Sequence, residues 1–128
     1  MLNQSGITKV NGTAPVQILF NVQNQMSVGV KIAKNFAGAV TENGRKIVKA
    51  GTPLTGDLTA RSTAFTAAGA SDAVGILLHD VDVTDNDANC SLLIWGFVNL
   101  NRIDSTTAAK INAGVKTALA GKVWFLKD

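Results

Sequence analysis

Two apolar runs separated by a segment rich in Asp and Asn constrain the fold of this chain more than any other feature. Residues 73–78 and 92–100 are rich in Val, Ile, Leu and aromatic side chains, which is typical of buried strands. The segment between them carries short side chains that favour turns, namely Asp80, Asp82, Asp85, Asn86, Asp87 and Asn89. The pattern predicts two antiparallel strands joined by an acidic tip.

Short strand-like stretches precede this pair. Residues 16–22 alternate imperfectly between apolar and polar side chains, residues 28–32 alternate again, and each stretch is predicted to be a strand. The Asn43-Gly44 dipeptide is a strong hairpin signal, and residues 45–48 resume as a short strand after it. The first half of the chain is therefore predicted to consist of short strands joined by turns.

The stretch from residue 55 to residue 71 is dominated by Thr, Ala, Ser and Gly. It is predicted to be an irregular surface loop that Leu58 and Phe65 anchor to the core. Pro53, just before it, has no amide hydrogen and therefore suits a strand edge or a strand start.

One helix is predicted near the carboxyl end, over residues 106–120. Asp104-Ser105 supplies a good N-cap, and Gly121 fits the position just after the helix. One face is apolar, through Ile111, Val115, Ala118 and Leu119, while Gly114 weakens the helix. Residues 123–126 follow as a last short strand.

Short strands, frequent turns and one late helix predict a mostly β fold: a small β-rich α+β domain, sandwich-like or barrel-like, over residues 16–128. Residues 1–15 contain Gly, Pro and many polar side chains, which indicates an extended N-terminal arm. The arm is either a frayed tail or a segment that adds a strand to the sheet of a partner, with Ile7 and Val10 as its apolar sites.

Composition indicates self-association. Charged residues make up 16% of the 128 residues, below the roughly 25% of an average soluble domain, and hydrophobic residues make up 46%. A single domain with so few charges either has a deep core or hides surface in an oligomer, and we favour the oligomer. The net charge of +3 is spread over single Lys and Arg residues, so nucleic-acid binding is not expected.

Cysteine use and hydropathy exclude other classes. Cys90 is the single cysteine, so an intramolecular disulfide or a cysteine-based zinc site is impossible. The first residues are polar, and we expect no signal peptide. No apolar run approaches the ~18 to 20 residues of a membrane span, and we expect no membrane partner.

Residues that could carry chemistry have simpler interpretations. His79 beside Asp80 could act as a general base, but a structural histidine at a strand end is the commoner case. Asp85, Asp87 and Asn89 have the spacing of calcium ligands, yet Cys90 stands where the turn glycine of such a loop belongs. No phosphate-binding loop is present. We therefore predict no catalytic residue, no cofactor and no metal.

The two tryptophans, Trp95 and Trp124, lie in strand-like apolar runs. They are interpreted as core aromatic residues, and either could instead anchor a subunit interface, where Trp is enriched.

Several motifs, in order, resemble those of a known family. Thr52-Pro53-Leu54 is followed by the run Ala73-Val74-Gly75-Ile76-Leu77, then by Gly96-Phe97, and finally by the segment of residues 116–121, KTALAG, before a terminal apolar strand. In order and spacing these motifs resemble the head-decoration proteins of tailed bacteriophages, of the lambda protein D type, over roughly residues 45–128. The segment of residues 16–40 would be extra relative to that family.

The resemblance implies a structural virion protein made in the cytoplasm of a bacterial host. It would assemble as a homotrimer on the outside of the head, at local three-fold sites, and hold neighbouring subunits of the major capsid protein together against internal DNA pressure. The resemblance also implies an arm that contacts the capsid, and its candidate contact residues here are Ile7, Val10, Pro15 and Val16.

Three other functions remain open. A phage tail or fibre-base module would share the β-rich, Ala/Thr/Gly-rich composition. A small hydrolase would depend on His79 and Asp80. A carbohydrate-binding module is disfavoured because the chain has no Tyr and few aromatic residues for stacking on sugars.

Overall fold

The computed structural model describes residues 17–20 and 23–127. Within these residues the chain forms nine strands, one 3-10 turn at Leu100–Arg102 and two short α-helices. The strands are β1 (Met26–Ile32), β2 (Val40–Glu42), β3 (Arg45–Val48), β4 (Pro53–Thr55), β5 (Thr66–Ala67), β6 (Gly75–Leu77), β7 (Val81–Asp82), β8 (Ala88–Asn99) and β9 (Val123–Leu126). The helices are α1 (Ser105–Ala108) and α2 (Ala113–Ala118). The predicted mostly β class is confirmed.

The strands form two sheets. The larger sheet has the order β1-β8-β6-β4-β5, and β9 adds to it by pairing in parallel with the second half of β8. The smaller sheet has the order β2-β3-β7. All pairs other than β8 with β9 are antiparallel. The twelve-residue β8 therefore pairs with three other strands and lies at the centre of the fold.

Strand β8 separates two hydrophobic clusters. Leu92 belongs to the cluster that also contains Val48, Phe65 and Val81. Its neighbour Leu93 belongs to the other cluster, which contains the buried Val115 of α2 and against which Ala108 of α1 packs. Adjacent strand residues point to opposite faces of a sheet, so one apolar strand supplies both clusters.

The predicted pair of apolar strands is confirmed, but the segment between them is not a simple hairpin tip. Strands β6 and β8 pair in antiparallel register, with Ile76 opposite Leu93 and Leu77 opposite Leu92. The intervening β7 leaves this pair and joins β3 of the smaller sheet, with Val81 opposite Val48. Val81 is buried, and burying its apolar side chain draws the acidic segment against the smaller sheet.

The predictions for the first half of the chain are largely confirmed. Asn43 and Gly44 have positive φ angles of 52° and 77°, and they join β2 to β3. Two successive positive φ angles define the hairpin turn that Asn-Gly favours. The predicted strand at residues 28–32 lies within β1. Of the predicted strand at residues 16–22, the described part contributes a bridge between Leu19 and Val98.

The segment of residues 55–71 differs from the prediction in two ways. Phe65 is buried and anchors the segment as predicted, but Leu58 is 38% exposed and does not. Thr66–Ala67 is regular enough to form β5, beside β4. Pro53 begins β4, which agrees with its missing amide hydrogen.

The single predicted helix over residues 106–120 is wrong, because the segment forms two helices. Asp104 accepts a hydrogen bond from the amide of Thr107 and caps α1, as predicted. Asn112 accepts one from the amide of Val115 and caps α2. An Asn side chain in a helix competes for backbone donors, so it begins a second helix here instead of continuing the first. The apolar face is retained: Ile111, Val115 and Leu119 are buried, and Gly121 follows α2 with a φ angle of 78°.

Gly114 in α2 allows a close approach that a larger residue would block. A β-carbon on Gly114 would lie 2.6 Å from Cβ and 3.2 Å from Cα of Ala70. Alanine gains about 1 kcal/mol of helix propensity over glycine, but overpacking against atoms that cannot rotate away costs about 1–3 kcal/mol. We expect Gly114→Ala to lower the free energy of unfolding by about 1 kcal/mol in urea denaturation, the difference of these two effects.

The matched control is Gly29→Ala in β1, where a β-carbon would meet nothing within 4 Å. We expect that variant to be neutral or slightly stabilising. If Gly114→Ala stabilised the protein as much as Gly29→Ala, the contact with Ala70 would not constrain α2.

Candidate interaction surface

Most exposed large apolar side chains of the described residues lie together. Phe20 is 50% exposed, Met26 58%, Trp95 40%, Trp124 38% and Leu126 37%. With the partly buried Phe97, these six residues are called the aromatic face here; the one large exposed apolar residue outside it is Leu58. A cluster of exposed apolar side chains on a soluble protein marks an interaction site more often than scattered single ones do.

Neighbouring backbone segments bring these residues together around the second half of β8. Met26 of β1 lies opposite Trp95, and Trp124 of β9 lies beside Phe97. On the edge of β8 opposite β9, the amide of Phe20 donates a 2.7 Å hydrogen bond to the carbonyl of Phe97. Phe97 is therefore flanked by an aromatic residue on each neighbouring segment, and all lie on the face of the sheet opposite the helices.

Three aromatic rings of this face are in mutual contact. The rings of Trp95 and Phe97 meet edge to face, with centroids 5.9 Å apart, and those of Trp95 and Trp124 do so at 5.8 Å. The rings of Phe97 and Trp124 stack with an interplanar angle of 23° and centroids 5.1 Å apart. Such pairs contribute about 0.5–1.5 kcal/mol each beyond the area they bury, so the exposed rings form an ordered surface.

A β-bulge places Trp95 on the exposed side. The pairing of β1 with β8 shifts between Met26 and Ser27, so that Met26 lies opposite Trp95 whereas Ser27 lies opposite Leu93. The extra residue, Ile94, changes the alternation along β8 by one position. Leu93 before the bulge and Val98 after it both join the cluster beneath the helices, although strict alternation would place them on opposite faces.

The interpretation of Trp95 and Trp124 as core residues is wrong, because both side chains are more than a third exposed. Their alternative role, at a subunit interface, stays a prediction. Sequence reasoning missed Phe20, Met26, Phe97 and Leu126 as parts of the same surface, since the bulge that aligns them leaves no signal in the alternation. The predicted capsid-contact residues Ile7, Val10, Pro15 and Val16 lie outside the described residues.

The acidic segment at the other end of the larger sheet is neutralised within the chain. Arg45 bonds to Asp82 at 2.9 Å and to Asp85 at 3.2 Å, and Lys31 pairs with Asp87 at 3.4 Å. Asp80 accepts from the amide of Ala50 and from the Lys49 ammonium. Among the described residues no group of His, Cys, Asp and Glu side chains has the geometry to hold a metal ion.

The remaining polar candidates are His79 and Cys90. His79 is exposed and makes no hydrogen bond or ion pair with any described residue, so no carboxylate orients its ring. Burial raises the pKa of the Cys90 thiol to about 11, which keeps it protonated and unreactive at neutral pH. In the described part of the chain no helix is long and apolar enough to cross a membrane.

The Arg45–Asp82 contact predicts a pH dependence of stability. The hydrogen bond from Arg45, followed by those from Thr84, lowers the pKa of Asp82 to about 2. A carboxylate whose pKa is lower in the folded state stabilises the fold above its unfolded pKa of about 4, and this stabilisation is lost as the pH falls towards 2. We expect Arg45→Gln to lower Tm by at most a few degrees at pH 7 and to approach the Tm of the parent protein as the pH falls to 2.

Thermal unfolding between pH 2 and pH 7 tests this expectation. Arg61→Gln is the control, because Arg61 is exposed and donates to the Gly29 carbonyl instead of to a carboxylate. That variant should keep the pH dependence of the parent. A constant Tm difference between Arg45→Gln and the parent across the whole range would contradict the assignment.

The chain was compared with known proteins. No family model matches it, and no curated protein matches it either.

Proposed function

We propose that this protein is a structural virion protein that decorates the outside of a bacteriophage head and stabilises it by binding, as a homotrimer, to neighbouring subunits of the major capsid protein. The ordered apolar surface formed by the aromatic face carries this proposal. A protein that works through protein contacts needs such a surface and needs no cofactor. The motifs quoted above from residues 52–121 support the choice of partner.

A phage tail or fibre-base module is the nearest alternative, because it would also expose an apolar contact surface. Two measurements on the purified protein separate the alternatives: light scattering after size-exclusion chromatography, and co-sedimentation with expanded, undecorated heads. The proposal expects a mass of three chains of 13.3 kDa and pelleting with heads. A protein that stays in the supernatant in the presence of heads would overturn the proposal and favour a tail component.

The arm has its own test. Deleting residues 1–15 is expected to weaken binding to heads by about tenfold or more, since burying one or two of its apolar side chains would contribute about 1.5 kcal/mol or more. The main domain should keep its Tm, because its two hydrophobic clusters are built from residues 18–123. A truncated protein that binds heads as tightly as the full chain would show that the arm does not contact the capsid.

A further inference from the structure

We infer that the aromatic face, together with the open edge of β9, binds an extended acidic segment of a different protein chain, which is added as a strand beside Val123–Leu126. The inference rests on the proposed function in one respect, that the protein acts through protein contacts, and it names the chemistry of the partner at this surface.

One edge of β9 pairs with no strand of the described residues. Strand β9 pairs with β8 alone among the strands of the described residues. The carbonyl of Lys122 accepts a 2.9 Å hydrogen bond from the amide of Gly96, and this sets which residues point towards β8. By the alternation of a parallel pair, the N–H and C=O groups of Phe125 point away from β8. An incoming strand would satisfy these groups, which is how sheets capture extended peptides.

The side chains beside this edge favour a strand with apolar residues at every second position. Trp124 and Leu126 project from β9 on the exposed side, whereas Val123 is buried beneath it. Side chains of an added strand would lie directly beside these two, at the spacing at which cross-strand pairs interact. The aromatic face would thus contact one face of the incoming strand.

Charge decides which chain can supply that strand. Lys122 and Lys127 flank β9, both are exposed, and neither has a carboxylate partner among the described residues. Lysines at a strand edge repel a second copy of the same edge, and they attract a strand that carries carboxylates.

This chain has no carboxylate to offer from the described residues, because each one already binds its own chain. Five of them form ion pairs with Lys or Arg: Glu42, Asp80, Asp82, Asp85 and Asp87. The other three accept hydrogen bonds from nearby backbone amides: Asp57, Asp72 and Asp104. Outside the described residues the chain has one Asp or Glu, Asp128, which directly follows Lys127; residues 1–16, 21 and 22 contain none. A different, acidic chain therefore fits this surface better than a second copy.

The experiment uses the full chain and the indole N–H signals of Trp95 and Trp124, which are the only two tryptophans and both lie on the aromatic face. The probe is a synthetic seven-residue peptide of alternating Glu and Val, compared with its Lys and Val counterpart. We expect saturable shifts of both signals with the acidic peptide and binding at least tenfold weaker with the basic one. Equal binding of the two peptides, or no shift with either, would overturn the inference.

Charge reversal sharpens the test. The double variant Lys122→Glu and Lys127→Glu should prefer the basic peptide. The control variant Lys110→Glu with Lys116→Glu makes the same change of net charge elsewhere, and it should keep the preference of the parent protein.

The mass of a tryptophan variant tests whether a second copy covers the face. If Trp95→Ser with Trp124→Ser lowers the molecular mass in light scattering, a second copy covers the face and the inference is wrong. The peptide measurements do not use phage heads, so the two proposals can fail separately. Peptide binding without head binding would overturn the proposed function alone. Head binding without peptide binding would overturn this inference alone.

Discussion

Replacing Trp95 and Trp124 together by serine is expected to weaken binding to undecorated heads by about a thousandfold, because a tryptophan at the centre of an interface typically contributes about 2 kcal/mol or more. The two side chains are 40% and 38% exposed, and each contacts the other and Phe97. Removing both takes away the two indole rings that contact each other and Phe97 on this face. Co-sedimentation at increasing protein concentration measures the loss.

The matched control is Leu58→Ser. Leu58 is as exposed as Trp124, at 38%, but it lies in the segment of residues 55–71, away from the aromatic face. Its variant should bind heads like the parent protein. The double tryptophan variant should also retain a cooperative thermal transition, since the clusters on both sides of β8 are built from other residues. Equal losses in the double variant and in Leu58→Ser would show that general hydrophobicity, and not this surface, drives binding.

The parts of the fold that sequence could predict are those in which a local signal and the tertiary structure agree. Asn43-Gly44 requires two positive φ angles and has them. The runs at β6 and at Leu92 and Leu93 of β8 are apolar because both faces of the sheet are buried there, as Leu92 and Leu93 show by joining different clusters. In these places residue type alone determines a conformation or a depth of burial.

The aromatic face could not be predicted because it depends on a register shift and on pairing between distant segments. Trp95 lies in a strand as apolar as any core strand, and only the bulge at Ile94 places it on the exposed side. Trp124 joins the aromatic face because β9 pairs in parallel with β8. Phe20 joins it because its amide forms a hydrogen bond with the Phe97 carbonyl at the opposite edge of β8. β7 was missed for a similar reason, since two residues have no periodicity to detect.

Replacing Phe65 by alanine is expected to lower the free energy of unfolding by about 3–5 kcal/mol, a large share of the ~5–15 kcal/mol that holds a domain folded. Phe65 is 1% exposed, and its amide donates a 2.8 Å hydrogen bond to the carbonyl of Lys31, which fixes the ring inside its cluster. Phe20→Ala is the matched control: its ring is 50% exposed, so the same change should cost less than about 1 kcal/mol in urea denaturation. Similar losses in the two variants would mean that Phe65 does not attach residues 55–71 to the core, because a fully buried ring leaves a cavity that a half-exposed one does not.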